Sequence, residues 1–161
     1  MIQPEKTNAT RALEQKKIEF KVHTYLSDGA ISGVEVAAAI GEPVEKVYKT
    51  LVTVGKSKVH YVFVIPAAAE LDLKKAAKTV GEKSIEMVKS KELLPLTGYV
   101  HGGCSPVGMK KQFSTVVNDT AREMPTIIVS GGRIGYQIEI APAVLQRVVP
   151  FSYADVIVET P

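Results

Sequence analysis

Residues 102–108 read Gly102-Gly103-Cys104-Ser105-Pro106-Val107-Gly108, and the rest of the chain is best understood outward from them. Glycine loses more conformational freedom on folding than any other residue. Three glycines, a serine and a proline in seven positions therefore need a purpose. The loop follows a short β-like run, Tyr99–His101, and precedes a basic pair, Lys110 and Lys111. Such a loop brings main-chain N–H groups close to an anionic or developing-oxyanion oxygen. A second stretch of the same character, Ser130-Gly131-Gly132-Arg133-Ile134-Gly135, again comes straight after a strand. These two loops and Lys49 are expected to form a single site. Neither loop spells GxGxxG and the chain contains no GxxxxGK[ST], which argues against a doubly wound nucleotide fold.

Hydrophobic periodicity supplies the surrounding elements. Thr7 or Asn8 can cap a helix to about Lys17, and an extended piece runs from Ile18 to Tyr25. Ser32 and Glu35 have the capping-box spacing, with Gly41 at the end of that helix. After a helical turn at Pro43, Val47–Val54 and Val59–Ile65 read as a hairpin, the second strand apolar enough for the sheet interior. Asp72 caps a helix with Leu73, Ala76, Ala77 and Val80 on one stripe and Lys74, Lys75 and Lys78 on a solvated face. Ser84–Val88 is a short strand, and Ser90 starts a helical turn through Leu93 and Leu94. Strands at Thr115–Asn118, Thr126–Ser130 and Ile134–Ile140 follow, then a helix from Pro142; the tail from Tyr153 fits strand or helix. Strands outnumber helices and short turns join several of them. The expectation is one α/β domain over residues 1–161, a mixed, largely antiparallel central sheet surrounded by helices.

Composition narrows the function classes. The 161 residues carry 20 basic and 17 acidic side chains, a formal charge of +3. That excess allows an RNA or phosphate ligand without requiring one, and there is no basic tail of the kind that holds DNA unspecifically. A single cysteine excludes an internal disulfide framework and fits a reducing compartment. No apolar run approaches the roughly 18 residues of a membrane span, so a cytoplasmic protein away from the membrane is expected. His23, His60 and His101 lack metal-ligand spacing, and neither a metal nor a cofactor is expected.

Lys49 is the most informative side chain. Its neighbours at two-residue spacing are Val47 and Leu51, so its ammonium either snorkels to an edge or meets a ligand or carboxylate. Cys104 with His101 three positions earlier invites a nucleophilic dyad, but residues three apart on a strand point to opposite faces. Cys104 therefore reads as a bystander. Ser105 stands before a proline, outside any G-x-S-x-G setting, and reads as a loop hydrogen-bonding residue. Tyr25 ends an extended run and serves packing or a site equally well.

Together, 48-YKTLV-52, 71-LDLKKAAK-78, 102-GGCSPVGMKK-111 and 129-VSGGRIGYQIEI-140 resemble the YbaK/EbsC family of aminoacyl-tRNA deacylases. This group is related to the editing domain inserted in bacterial prolyl-tRNA synthetase. The resemblance spans 20-FKVHTY-25 to 150-PFSYADV-156. It implies a free-standing deacylase that removes cysteine from mischarged Cys-tRNA(Pro), with Cys-tRNA(Cys) as a further substrate. The implied partners are the 3′ acceptor end of aminoacyl-tRNA and prolyl-tRNA synthetase.

The resemblance also implies roles. Lys49 matches the lysine that holds the substrate's polar backbone. Tyr25, Ser130 and Gly132 match pocket positions, and the Gly102-Gly103 backbone would line the acyl site. Ser105, Pro106, Gly108 and Gly131 complete the two loops on the substrate-binding side. Gln137 stands where relatives often carry an acid. The implied mechanism needs no side-chain nucleophile, because the substrate thiol attacks its own ester carbonyl. Two rivals stay open: a deacylase for another small amino acid, such as Ala-tRNA(Pro), and a non-catalytic module binding tRNA or a synthetase.

Overall fold

The computed structural model describes residues 6–159. Helix α1 (Asn8–Gln15) begins where a threonine pair can satisfy its first donors. Thr7 Oγ1 accepts from the Thr10 N–H, and the Thr10 hydroxyl oxygen accepts from the Thr7 N–H at 2.9 Å. The other elements are β1 (Lys21–Thr24), α2 (Gly33–Ile40), β2 (Tyr48–Gly55), β3 (His60–Pro66), α3 (Leu73–Val80), β4 (Ile85–Met87) and α4 (Ser90–Thr97). Then come β5 (Ser114–Asn118), β6 (Ile127–Arg133), β7 (Tyr136–Ile140), α5 (Pro142–Leu145) and β8 (Phe151–Ala154). Short 3-10 turns cover Val44–Lys46 and Asp119–Glu123. Gly41 and Gly81 end α2 and α3 in left-handed conformation, φ +70° and +76°, which a Cβ would penalise.

The strands divide into two sheets. One runs β4-β2-β3-β5-β8, antiparallel on the β2 side and parallel from β3 to β5 to β8; the other, β1-β7-β6, is antiparallel. The α/β class and the largely antiparallel pairing expected from the sequence hold, with two sheets in place of one central sheet. Alternation along β3 shows why. Val62 and Val64 pack in one cluster with Val129, Ile138 and Ile140 of the second sheet and Leu13 of α1. Phe63 and Ile65 point the other way, onto Ala76 and Ala77 of α3. A strand covered on both faces has no reason to alternate with polar residues.

Four local expectations change. Tyr99–His101 is not a strand: α4 ends at Gly98, φ +86°, and the chain turns so that the Gly103 N–H donates to Val100 C=O at 3.0 Å. The helix itself continues through Pro95 to Thr97, past the expected stop. Residues 130–135 do not follow β6 but end it, with a register shift between Ser130 and Arg133 before the turn into β7. Lys75 does not lie on a solvated face. Its ammonium reaches Asp155 at 3.0 Å and the Ile157 carbonyl at 2.9 Å, tying the C-terminal segment to α3.

One buried charge locks β1, β7 and the approach to β2. Glu139 on β7 accepts from Lys46 Nζ at 2.6 Å and Thr126 Oγ1 at 2.5 Å, and lies 2.8 Å from His23 Nε2. Burial alone would raise its pKa, but these partners overcome that and hold the carboxyl at about 2. Unfolded, it titrates near 4.3, so its stabilisation is present above that pH and is lost as pH falls toward the folded value. Glu139→Gln is expected to lower stability at pH 7 by roughly 2–3 kcal/mol. Urea unfolding at stepped pH should show the wild type converging on the variant between about pH 4 and 2. A constant gap across that range would contradict the assignment.

Candidate active site

The parallel bridge Val47–Ile128 sets the start of β2 beside β6. The same register carried two residues on brings Lys49 level with Ser130, which pairs with Gln137 on β7. Lys49, Ser130 and Gln137 all line one cavity of about 430 Å³. That volume suits a small ligand. The opposite walls come from the segment entering α2 (Ala30–Gly33), the start of α4 (Lys89, Ser90) and Gly102. The first glycine loop, through Gly102 and Cys104, the second, through Ser130, and the lysine thus converge on one space.

Lys49 is half-buried, and among the described residues no carboxylate lies within ion-pairing distance of its ammonium. Burial lowers its pKa, and the more distant charge of Glu70 opposes that without reversing it. A half-buried cation without a counterion is costly to keep. The adjacent Thr50 adds a second unsatisfied group: its Oγ1 is the one buried side-chain N or O atom among the described residues without a hydrogen-bond partner. Thr50 also lines the cavity. No sequence signal marks it, because threonine in a β-run is an ordinary strand former.

The two glycine loops touch. A Cβ on Gly103 would come within 2.9 Å of Arg133 Cα, and one on Gly102, at φ +86°, within 2.5 Å of Ala30 Cβ. Only Gly102 of this pair lines the cavity. Gly103 is a contact residue whose N–H is already used, which corrects the expectation that both glycines wall the acyl site.

Several other expected site residues shape the loops from behind and do not line the cavity. Ser105 is fully buried, its Oγ accepting from the Val107 N–H at 3.2 Å, and Pro106 is buried beside it. Gly108 abuts the Asn8 backbone and the Tyr99 hydroxyl, Gly131 the Tyr136 ring, and Gly132 Thr7 and Tyr99. Gly132 also donates its N–H to Ser130 Oγ at 3.2 Å, which orients that serine. Tyr25 donates its N–H to Gly135 C=O at 3.0 Å and lies outside the cavity lining.

No side chain of the cavity is set up as a nucleophile. Cys104 lines it, but burial pushes its thiol up to about 11, so it is protonated at neutral pH. His101 also faces the cavity, and no hydrogen bond joins it to Cys104 among the described residues. Elsewhere, His23, Glu42 and Glu139 present ligand atoms within 4.8 Å of one another. The Lys46 ammonium already sits on that carboxylate, where a metal ion would need to be.

Comparison with known proteins now gives the site a family. The model of the aminoacyl-tRNA editing domain matches residues 30–148, which include Lys49, Gly102, Ser130 and Gln137. A relative from Enterococcus faecalis (strain ATCC 700802 / V583), EbsC, is 44% identical over 153 residues, covering 94% of this chain and 93% of its own. The chain belongs to the YbaK/EbsC family of aminoacyl-tRNA editing proteins. EbsC carries the name of a Cys-tRNA(Pro)/Cys-tRNA(Cys) deacylase. Among solved structures, one described as a trans-editing enzyme for prolyl tRNA synthetase superposes with a TM-score of 0.82 at 25% identity, covering 99% of this chain and 100% of the other. A hypothetical protein at 22% identity matches with a TM-score of 0.84 over 94% of this chain and 99% of its own, which establishes the shared editing-domain fold alone. No helix among the described residues is long and apolar enough to cross a membrane.

Proposed function

We propose that this protein is a free-standing aminoacyl-tRNA deacylase that removes cysteine from mischarged Cys-tRNA(Pro), and from Cys-tRNA(Cys), with the substrate's thiol as nucleophile. The observation that carries the reading is a cavity with an unpaired ammonium and no activated side-chain nucleophile. Cys104 is held protonated, Ser105 is turned inward, and Ser130 Oγ is engaged by the Gly132 N–H. The reading takes the reactive group from the ligand. The name borne by EbsC supports cysteine as that ligand.

In this scheme Lys49 holds the polar backbone of the aminoacyl end, and the Gly102 main chain stands at the wall where the ester carbonyl lies. The cysteinyl sulfur bonds to the carbonyl carbon, the bond from that carbon to the ribose oxygen breaks, and the thiol proton passes to the ribose oxygen. The products are free tRNA and a four-membered cyclic thiolactone. Intramolecular attack needs only a held near-attack geometry, which a rigid pocket supplies. Choice of tRNA is left to prolyl-tRNA synthetase, a reading supported by the structural relative described as editing for that enzyme. Such work belongs in the cytoplasm, with translation.

The test is a panel of tRNAs charged with Cys, Ala and Ser. Cys-tRNA is expected to be cleared well above its spontaneous rate while Ser-tRNA survives, because a hydroxyl is a weaker nucleophile for the same strained ring. Preference for alanine would replace this reading with the alanine-specific one. Tight binding without turnover would establish a binding module.

A further inference from the structure

The residues lining the cavity include two lysines, Lys49 and the exposed Lys89, and His101, and no aspartate or glutamate. An aminoacyl ester brings an α-amino group that is cationic below about pH 7–8. A pocket meant for that cation would offer it a carboxylate, as charged donors are normally met. This one offers only neutral acceptors. Gln137 is 5% exposed, faces the cavity, and its side-chain amide has no hydrogen-bond partner among the described residues. Thr50 Oγ1 is buried and unpartnered on the same cavity.

None of the titratable side chains lining the space is acidic, and the one carboxylate whose charge bears on Lys49, Glu70, lies outside the lining. From β2 come Lys49 and Tyr48, whose hydroxyl is engaged with Thr120 at 2.7 Å. From the approach to α4 comes Lys89, from the turn before the first glycine loop His101, and from that loop the protonated Cys104. No element packed around the cavity contributes an acid to its lining.

We infer that this pocket selects its acyl group with the α-nitrogen uncharged, received by the Gln137 amide and the Thr50 hydroxyl, and discriminates against the α-ammonium form. This rests on the deacylase reading and adds to it a substrate class: amino acid esters as free bases, together with acyl groups whose α-substituent is neutral. Like charge near the half-buried ammonium of Lys49 repels the protonated amine, while an amide and a hydroxyl can each accept a hydrogen bond from N–H or donate one to a lone pair. Gln137 and Thr50 are thereby positioning residues for the nitrogen.

The experiment is a binding measurement on two stable analogues of the acceptor end, 3′-amide-linked cysteinyl-adenosine and its counterpart with hydroxyl in place of the α-amine. Calorimetry at pH 6 and pH 8 gives the ratio of their dissociation constants, and the same ratio in His101→Asn separates titration of the ligand from titration of that cavity residue. Wild type is expected to favour the hydroxy analogue at pH 6, with the amine gaining on it by about tenfold or more at pH 8, following the free-base fraction. Gln137→Glu should reverse the preference at pH 6, and Thr50→Val should weaken the amine at pH 8 with little change at pH 6. Wild-type preference for the amine at pH 6, or a ratio independent of pH, would overturn the inference and leave the deacylase reading standing. Failure of both analogues to bind wild type would remove both.

Discussion

Lys49→Ala is expected to reduce kcat/KM for Cys-tRNA deacylation by about 10²–10³-fold, the scale seen when one preorganised electrostatic contact is removed from an active site. The reason lies in what surrounds the residue. Its ammonium is half-buried on a cavity wall with no ion-pair partner among the described residues, and burial lowers its pKa. Such a group contributes nothing to holding the fold that a smaller side chain would forfeit. The melting temperature of the variant should therefore stay within a few degrees of wild type or rise. Cys104→Ala, by contrast, should keep most of the activity, since a thiol held protonated cannot attack. Single-turnover deacylation of both variants, with thermal unfolding as control, checks the pair. Equal losses would return Cys104 to the chemistry and remove Lys49 from its assigned place.

Gly108→Ala should fail for the opposite reason, by unfolding. Gly108 has φ +77°, and an added Cβ would stand 2.8 Å from the Asn8 backbone and 2.8 Å from the Tyr99 hydroxyl. A side chain in the left-handed region costs about 1–2 kcal/mol, and forcing a methyl into a closed contact adds about 1–3 kcal/mol. The Tyr99 hydroxyl also donates to Val107 C=O at 2.5 Å, so moving it disturbs a second buried contact. A loss of about 2–5 kcal/mol in urea unfolding is expected, with activity per folded molecule little changed. A stable, inactive Gly108→Ala protein would mean that this glycine meets the substrate after all.

The contrast between Lys49 and Gly108 marks how far the sequence could be read. The helix caps at Ser32, Gly41, Asp72 and Gly81 are local, because their donors and acceptors lie within four residues, and they were legible. The β2–β3 hairpin was legible for the same reason. The way the two sheets meet was not, because Val47 beside β2 reaches Ile128 on β6 across 81 positions of chain, and nothing local encodes that bridge. Lys49 stood out as a charge in an apolar run, and the structure puts it on the cavity. The two glycine loops lie against each other, yet glycine count could not say which members line the cavity. Gly102 faces the cavity, whereas Gly103, Gly108, Gly131 and Gly132 are glycines because backbone or rings press against them. Thr50 carries no sequence signal, because an unpartnered hydroxyl is a property of three-dimensional surroundings, invisible in a strand-like run.

The most direct test of self-cleavage within this cavity is the chemical identity of the first product released from Cys-tRNA, followed by mass spectrometry beside a parallel reaction on S-methyl-Cys-tRNA. The account predicts a species one water lighter than cysteine at the earliest times, and no enzymatic release from the S-methylated ester. Free cysteine alone from the first time point, with the S-methylated substrate cleaved at a comparable rate, would contradict it and assign the attack to water.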